Sequence, residues 1–261
     1  MSDIIVVRGG GDLATGVVQK FHRSGFRVAV LETAVPLAIR RSVSLCTAVS
    51  EGTAQVEDLR ARLAEPSQCE AVWAQGEIPV LIDPLAESLA LLRPAAVVDA
   101  ILAKRNLGTH LGMAPAVIAL GPSFEVGRDA HAVIETMRGH DLGRVLFAGS
   151  ALPNTGIPGE IGGKSALRVL HAPCAGAVTH HSAIGDVVAQ GQPLFSVGET
   201  PVTAPFRGLL RGLIAAGISI PKGTKAADVD SRIDVDWTTI SDKARCIGGG
   251  ALEAYLHLSR R

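Results

Sequence analysis

Residues 171–194 recur, shifted by 32 positions, at 203–226. Ala172-Pro173 aligns with Ala204-Pro205, Gly176 with Gly208, Gly185 with Gly217, and Gly191 with Gly223. Val188 and Ile220 hold the same place in each copy. A short β-rich unit of this kind exposes an apolar face when alone, and pairing with its own copy buries that face. Two copies in tandem therefore predict a small closed β module about a pseudo-twofold axis. Val188 and Ile220 should meet in its shared core.

The wording of the repeat, above all Gly185-Asp186-Val187-Val188-Ala189-Gln190-Gly191-Gln192-Pro193-Leu194, resembles biotinyl and lipoyl carrier domains. The resemblance implies a barrel-sandwich hybrid, with a cofactor-bearing lysine on the hairpin between the repeats. The corresponding stretch here, Phe195 to Thr203, contains no lysine. The expectation is a carrier fold without covalent biotin or lipoate. That points to an accessory or binding protein rather than a swinging-arm enzyme.

The N-terminal part reads differently. Ile4-Ile5-Val6-Val7 is a β-branched run suited to a strand buried on both faces. Leu13 to Ser24 reads as a helix ended by Gly25, and Phe26 to Leu31 as a second strand. Between strand and helix stands Gly9-Gly10-Gly11-Asp12-Leu13-Ala14-Thr15-Gly16. Gly9-x-Gly11-x-x-Ala14 fits the dinucleotide fingerprint in its G/A form. Such a loop needs a tight turn, then backbone without a Cβ where a phosphate approaches, then a small residue where the helix packs. The helix start offers unpaired N–H groups to an anion. Glu32 closes the second strand, 21 residues after Gly11, where an acid accepts from a ribose hydroxyl. A tight turn that binds nothing would be written with the same letters. Asp12 would repel a phosphate, so its predicted role is to cap the helix.

Further elements predicted are a helix over 56–63, a strand near Val80-Leu81-Ile82, a helix over 85–92 and a strand at Ala96-Val97-Val98-Asp99. Strands alternating with helices predict a parallel α/β sheet. Asp99, Lys104, Arg105 and Asn106 follow a strand's carboxyl end, where open sheets place their ligand crevice. They are predicted to face the same cleft as Gly9 to Thr15. From Ala116 onward, short apolar runs separated by turn clusters read as β-rich. The expected fold is thus an α/β Rossmann-like domain over 1–106, a β-rich middle over 107–170, the repeat module over 171–235, and a helical segment over 236–261. Ser241 is its predicted N-cap, and Gly248-Gly249-Gly250 should interrupt its helix.

Composition narrows the function classes. The 25 basic and 25 acidic residues cancel, so no charge excess points to nucleic acid or to an anionic membrane. No apolar run approaches the ~20 residues needed to span a bilayer. The chain is 47% hydrophobic but only 3% aromatic, so its core must be aliphatic. Cys46, Cys69, Cys174 and Cys246 lie far apart and form no CxxC pair, which fits a reducing cytoplasm and no zinc or iron–sulfur site. Adjacent His180 and His181 in a strand would point to opposite faces, against a shared metal. His140 beside Asp141 reads as turn chemistry before it reads as a held base. Gly162-Gly163-Lys164-Ser165 resembles the end of a P-loop, but Pro158 stands where that motif needs glycine. No Ser-His-Asp signature or nucleophile elbow occurs, and no catalytic set is assigned.

Ile4 to Glu32, Lys104-Arg105-Asn106-Leu107-Gly108-Thr109, Val133 to His140, and Asp242-Lys243-Ala244 with Gly248-Gly249-Gly250 together resemble the YqeB family, described as a selenium-dependent molybdenum hydroxylase system protein. The resemblance spans nearly the whole chain. It implies an accessory role in maturing a molybdenum hydroxylase client, with Gly9, Gly10, Gly11, Asp12, Ala14 and Thr15 as a ligand cradle. The ligand expected is phosphorylated, a molybdopterin-type cofactor or a dinucleotide. An NAD(P)-dependent oxidoreductase, or another nucleotide-using enzyme, is the alternative reading. It would need a proton donor or acceptor, for which only His140, Asp99 and Lys104 offer themselves.

Overall fold

The computed structural model describes residues 3–154 and 166–260. The stretch Gly162 to Ser165 lies outside the described residues. Two compact units emerge. The first comprises residues 1–36, 43–154 and 240–261, and the second residues 37–42 and 155–239.

The first unit is built on a nine-stranded sheet. In chain order its strands are β1 (Ile4–Arg8), β2 (Arg27–Glu32), β3 (Thr53–Val56), β4 (Leu59–Leu63), β5 (Ile78–Ile82), β6 (Ala96–Asp99), β7 (Ala116–Leu120), β8 (Ala132–Ile134) and β9 (Val145–Leu146). Across the sheet the order is β3-β4-β5-β2-β1-β6-β7-β8-β9. β3 and β9 run antiparallel to their neighbours at the two ends, and every other pairing is parallel. β1 is flanked by β2 and β6, so the order reverses between β1 and β6. Alternation along the strands splits the core in two. Ile5, Val7, Val28, Val30 and Val98 pack on one face with α1 (Asp12–Arg23). Val6, Ala29, Leu81 and Val97 pack on the other with two short helices of the crossover segments. Those are Cys69–Ala74 and Leu89–Leu92, which follow a first short helix at Ala48–Glu51.

Three sequence expectations need correction. The helix predicted over 56–63 is the β3–β4 hairpin. Leu59 and Ala61 are buried and Arg60 and Arg62 exposed, a period of two that only a strand satisfies. The boundary at 106 also fails as a domain end, because β7 pairs in parallel with β6 and carries the sheet on through β8 and β9. The last helix, Asp242–Leu258, is capped by Ser241 as expected but runs unbroken through its three glycines. Those glycines serve contact. A Cβ on Gly248 would meet the Gly16 carbonyl of α1, one on Gly16 would meet the Ala244 carbonyl, and one on Gly250 would meet the Gly143 carbonyl. Backbones touch there with no side chain between them. The ring of Tyr255 then packs edge-on to Phe21 and Phe26, at 5.8 and 5.3 Å between centroids.

The second unit holds two four-stranded antiparallel sheets. One has β10 (Val169–His171), β17 (Lys225–Asp230), β15 (Gly208–Leu213) and β12 (Val187–Val188), in that order. The other has β14 (Thr200–Thr203), β13 (Pro193–Val197), β11 (Gly176–His180) and β16 (Ser219–Ile220). A shift of 32 residues turns one sheet into the other strand for strand. The copies exchange strands: β12 of the first copy pairs with β15 of the second, and β16 of the second with β11 of the first. The register is kept, since Val188 faces Gly208 and Ile220 faces Gly176. Each four-stranded sheet is completed only by strands from both copies, and Val188 and Ile220 lie buried in one cluster.

Charge breaks this symmetry. Asp228 and Asp230 on β17 are buried, and alternate with Arg168, Arg211 and Arg232 in a ladder of ion pairs. Burial pushes the Asp230 carboxyl up, but hydrogen bonds from the Arg232 side chain and backbone, with the charges of Arg211 and Arg232, outweigh it and hold it below the ordinary range.

The glycine contact in the last helix gives a direct test. Gly248→Ala is expected to lower stability by about 1–3 kcal/mol through overpacking. Gly249→Ala meets nothing within 4 Å and should raise it by about 0.5–1 kcal/mol through helix propensity. Chemical denaturation of the two variants measures both signs.

Candidate functional site

β1 ends in Arg8, and Gly9 turns the chain with φ +94°, a conformation that favours glycine. A Cβ at Gly9 would lie 3.0 Å from the Ala100 carbonyl oxygen, so the loop presses on the segment leaving β6. Gly10 is equally confined, since a Cβ there would lie 2.9 Å from the Cys46 backbone nitrogen. The Cys46 N–H donates to the Gly10 carbonyl at 2.9 Å. Gly11 differs. It is the N-cap of α1, has an ordinary φ of −70°, and no side chain caps the helix there. Nothing lies within 4 Å of a Cβ placed on it. Its surroundings are open, whereas Gly9 and Gly10 are glycines because of packing.

Asp12 is the first helical residue, and the cap position predicted for it belongs to Gly11. Its charge instead stands in the first turn, where it meets the positive end of the helix dipole. Ala14 and Thr15 are buried. The Thr15 hydroxyl donates to the Gly11 carbonyl at 3.0 Å and accepts from the Leu45 N–H at 3.2 Å. Glu32 stands beside the loop. Its Oε2 accepts the Gly10 N–H at 2.8 Å, and its Oε1 accepts the Thr33 N–H at 2.8 Å.

Asp99 sits opposite Arg8 in the β1–β6 register. Arg8, Asp99 and Thr109 are 3%, 1% and 2% exposed. The Arg8 guanidinium lies 3.4 Å from Asp99 Oδ2 and donates to the Thr109 hydroxyl, which in turn donates to Asp99. Arg8 also donates to the carbonyls of Leu107 at 3.2 Å and Pro84 at 3.4 Å. Burial pushes the Asp99 carboxyl above the usual range, against the hydrogen bonds of Thr109 and the Ile101 N–H and the charge of Arg8. The cleft-facing role predicted for Asp99 is thereby corrected: its oxygens are spent on Arg8, Thr109 and Ile101. Asn106 also turns inward. Its side chain donates to the Thr109 carbonyl and accepts the Thr109 N–H, both at 2.8 Å. Of the four residues predicted to face the cleft, only Lys104 and Arg105 are exposed.

Two residues that hold this region were not singled out in the sequence. Arg8 is hidden inside a strand, where a lone arginine carries no motif. Glu135 is buried at the end of β8 and accepts the N–H groups of Thr136, Met137 and Leu152 at 2.7–2.8 Å. His140 is exposed, and its neighbour Asp141 pairs with Arg144 at 2.9 Å. His180 and His181 separate as predicted: His180 Nε2 contacts the Ile214 carbonyl, and His181 Nε2 the Ser196 hydroxyl. Among the described residues, no three His, Cys, Asp or Glu side chains come together as a metal site. No helix among them is long and apolar enough to cross a membrane.

The fold and this loop define an α/β protein with a glycine turn at the switch point of its sheet, joined to an antiparallel β unit. No family model matches the chain. Over 257 residues, 98% of its length, it is 46% identical to a protein of Escherichia coli (strain K12) named "Uncharacterized protein YqeB". The resemblance to YqeB carried by the motifs therefore holds along almost all of this chain. The chain spans 48% of that relative, about half its length. A solved succinylglutamate desuccinylase of Silicibacter sp. TM1040 aligns over 87% of this chain and 84% of its own, at 13% identity and a TM-score of 0.26. A likeness that weak carries no argument.

The buried pair makes a pH-dependent prediction. Arg8→Met should cost about 3–5 kcal/mol at neutral pH by stranding Asp99. The Asp99 pKa then rises further, so the folded variant binds a proton that the unfolded chain releases. The deficit should shrink as pH falls from 8 toward 5. Urea denaturation of both proteins across that range reads it, and a deficit independent of pH would show that Asp99 does not carry it.

Proposed function

We propose that this protein binds a phosphorylated ligand at the Gly9–Thr15 loop, as an accessory protein in the maturation of a molybdenum hydroxylase. The observation that carries the binding is the open space at Gly11. Gly9 and Gly10 owe their lack of a side chain to packing, but Gly11 owes it to no protein atom. It is the N-cap of a 12-residue helix and brings no side chain to that helix's first N–H groups. A phosphate would satisfy them, with the helix dipole adding to the attraction. Glu32 would take the hydroxyls of an attached ribose. A molybdopterin-type cofactor, or its dinucleotide form, joins both chemistries in one molecule. The accessory role itself rests on the YqeB resemblance.

We read the first unit as Rossmann-like and the second as a lysine-free barrel-sandwich hybrid. Its two sheets are related by exchange, and the β13–β14 turn, at Gly198-Glu199, takes the place of a carrier's lysine. The unit would serve as a docking or packing surface, and a cytoplasmic location goes with this reading.

Thermal shift against nucleotides and molybdopterin forms tests the site. A ligand at 100 times its dissociation constant should add about 2.7 kcal/mol to stability. Gly11→Val has space in the fold and should remove that gain while leaving the unliganded protein stable. If wild type and variant respond alike to every ligand, the loop is not the cradle. For the second unit, intact mass spectrometry of protein from its native host should show no added biotinyl or lipoyl mass.

A further inference from the structure

Residues 100–110 leave β6 without regular structure until a single turn at Leu111–Met113. The segment is held firmly at its two ends. At the start, Asp99 accepts the Ile101 N–H at 3.1 Å, and Ala100 lies against Gly9. At the finish, Asn106 brackets Thr109, and Arg8 reaches both the Thr109 hydroxyl and the Leu107 carbonyl. Between the ends the hold is slight. Among the described residues, one bond, from the Ser123 hydroxyl to the Lys104 carbonyl at 2.9 Å, ties the middle down. Leu102 and Ser123 both sit at positive φ, +58° and +85°, where a side chain is strained. Ile101 and Leu102 expose apolar surface, and Lys104 and Arg105 expose charge. Ile101 lies directly against Gly9, so this middle borders the glycine loop.

We propose that Arg8 is the positioning residue of a strap, residues 100–109, that closes over the glycine loop when a pyrophosphate-bearing ligand binds there. The proposal rests on the reading of that loop as a ligand cradle. Arg8 acts through Thr109 and Leu107, fixing the far end of the strap so that its middle has one direction in which to fold. Closure covers Ile101 and Leu102 and brings the Lys104 and Arg105 charges toward the phosphates. The guanidinium suits the task because it spans several acceptors at once, which an ammonium does not.

Hydrogen exchange of the full chain, with inorganic pyrophosphate as probe, tests this. Without the probe, amides of 102–105 should exchange fast, and the bonded amides of Ile101 and Thr109 slowly. With it, 9–15 and 102–105 should both slow. Thr109→Val keeps the volume but removes the hydroxyl, and should speed exchange at position 109 by about tenfold or more. In that variant pyrophosphate should still slow 9–15 but no longer 102–105. Thr109→Ser keeps the hydroxyl and should behave as wild type. Arg8→Lys keeps the charge but loses the reach to Leu107, and should loosen position 109 as Thr109→Val does; it stands in if that variant does not fold. Protection at 9–15 alone in the wild type would overturn the strap and leave the cradle standing. Protection at neither would overturn both. Wild-type exchange at position 109 in the Val and Lys variants would overturn the role of Arg8.

Discussion

The first unit depends on backbone touching backbone. Gly16 of α1 and Gly248 of the last helix approach until no side chain fits between them. The chain leaves this unit after residue 154 and returns at 240, so the contact closes the unit around a long excursion. Burying a helix against the sheet drives the return. Ile240, Ala244, Ile247 and Ala251 supply the apolar stripe, and all are in the main core. The glycines decide how close the helix comes, and closeness decides where Tyr255 meets Phe21 and Phe26. With aromatics at 3% of the chain, that cluster gathers three of its nine aromatic side chains in one place. Helix propensity is given up at three positions, and close packing offsets the loss at two of them.

The second unit meets a different constraint with a similar economy of residues. Each copy of the repeat supplies strands that pair with the other copy, so register errors in one would misplace the other. Gly176 and Gly208 show why the repeat keeps glycine there. A Cβ on Gly208 would meet the Asp230 carbonyl, and one on Gly176 would lie 3.0 Å from the Gly198 nitrogen. The equivalent backbone crossing recurs in both sheets, and the symmetry of the letters follows from the symmetry of the contact.

How much was legible follows from the range of each interaction. Strands β1, β2, β6 and β7, α1 and its glycine turn, and the repeat all announce themselves in short windows, because periodicity and turn chemistry are local. The 56–63 segment misled because two short strands joined at Glu57-Asp58 mimic an apolar face at helical spacing. Only the alternation within Leu59–Leu63 reveals them. The three glycines of the last helix read as a break because the partners that require two of them are remote: Gly248 meets Gly16, 232 positions away, and Gly250 meets Gly143, 107 positions away. Within the site, Glu32 was found by its spacing from Gly11, whereas Arg8 was not, since its partners at Pro84, Asp99, Leu107 and Thr109 lie 76–101 positions away. Long-range polar hubs leave no period in the sequence.

The charge arrangement around the glycine turn explains why a strap and a cradle belong together in the proposed reading. Arg8 is the cation nearest the turn in sequence, but its charge is matched by Asp99 and both are buried. Asp12 and Glu32 add negative charge at the rim. The cradle is left with the partial charges of one helix end, whose effect on an anion is typically of the order of 1 kcal/mol or less at an exposed site. That is little for holding a pyrophosphate in competition with water. The missing attraction has to come from full charges brought close at the moment of binding. On this side of the sheet, Lys104 and Arg105 are exposed on the segment that touches Gly9. A permanently positive loop would attract any anion, whereas cations on a segment that must close respond only to a ligand that completes the fit.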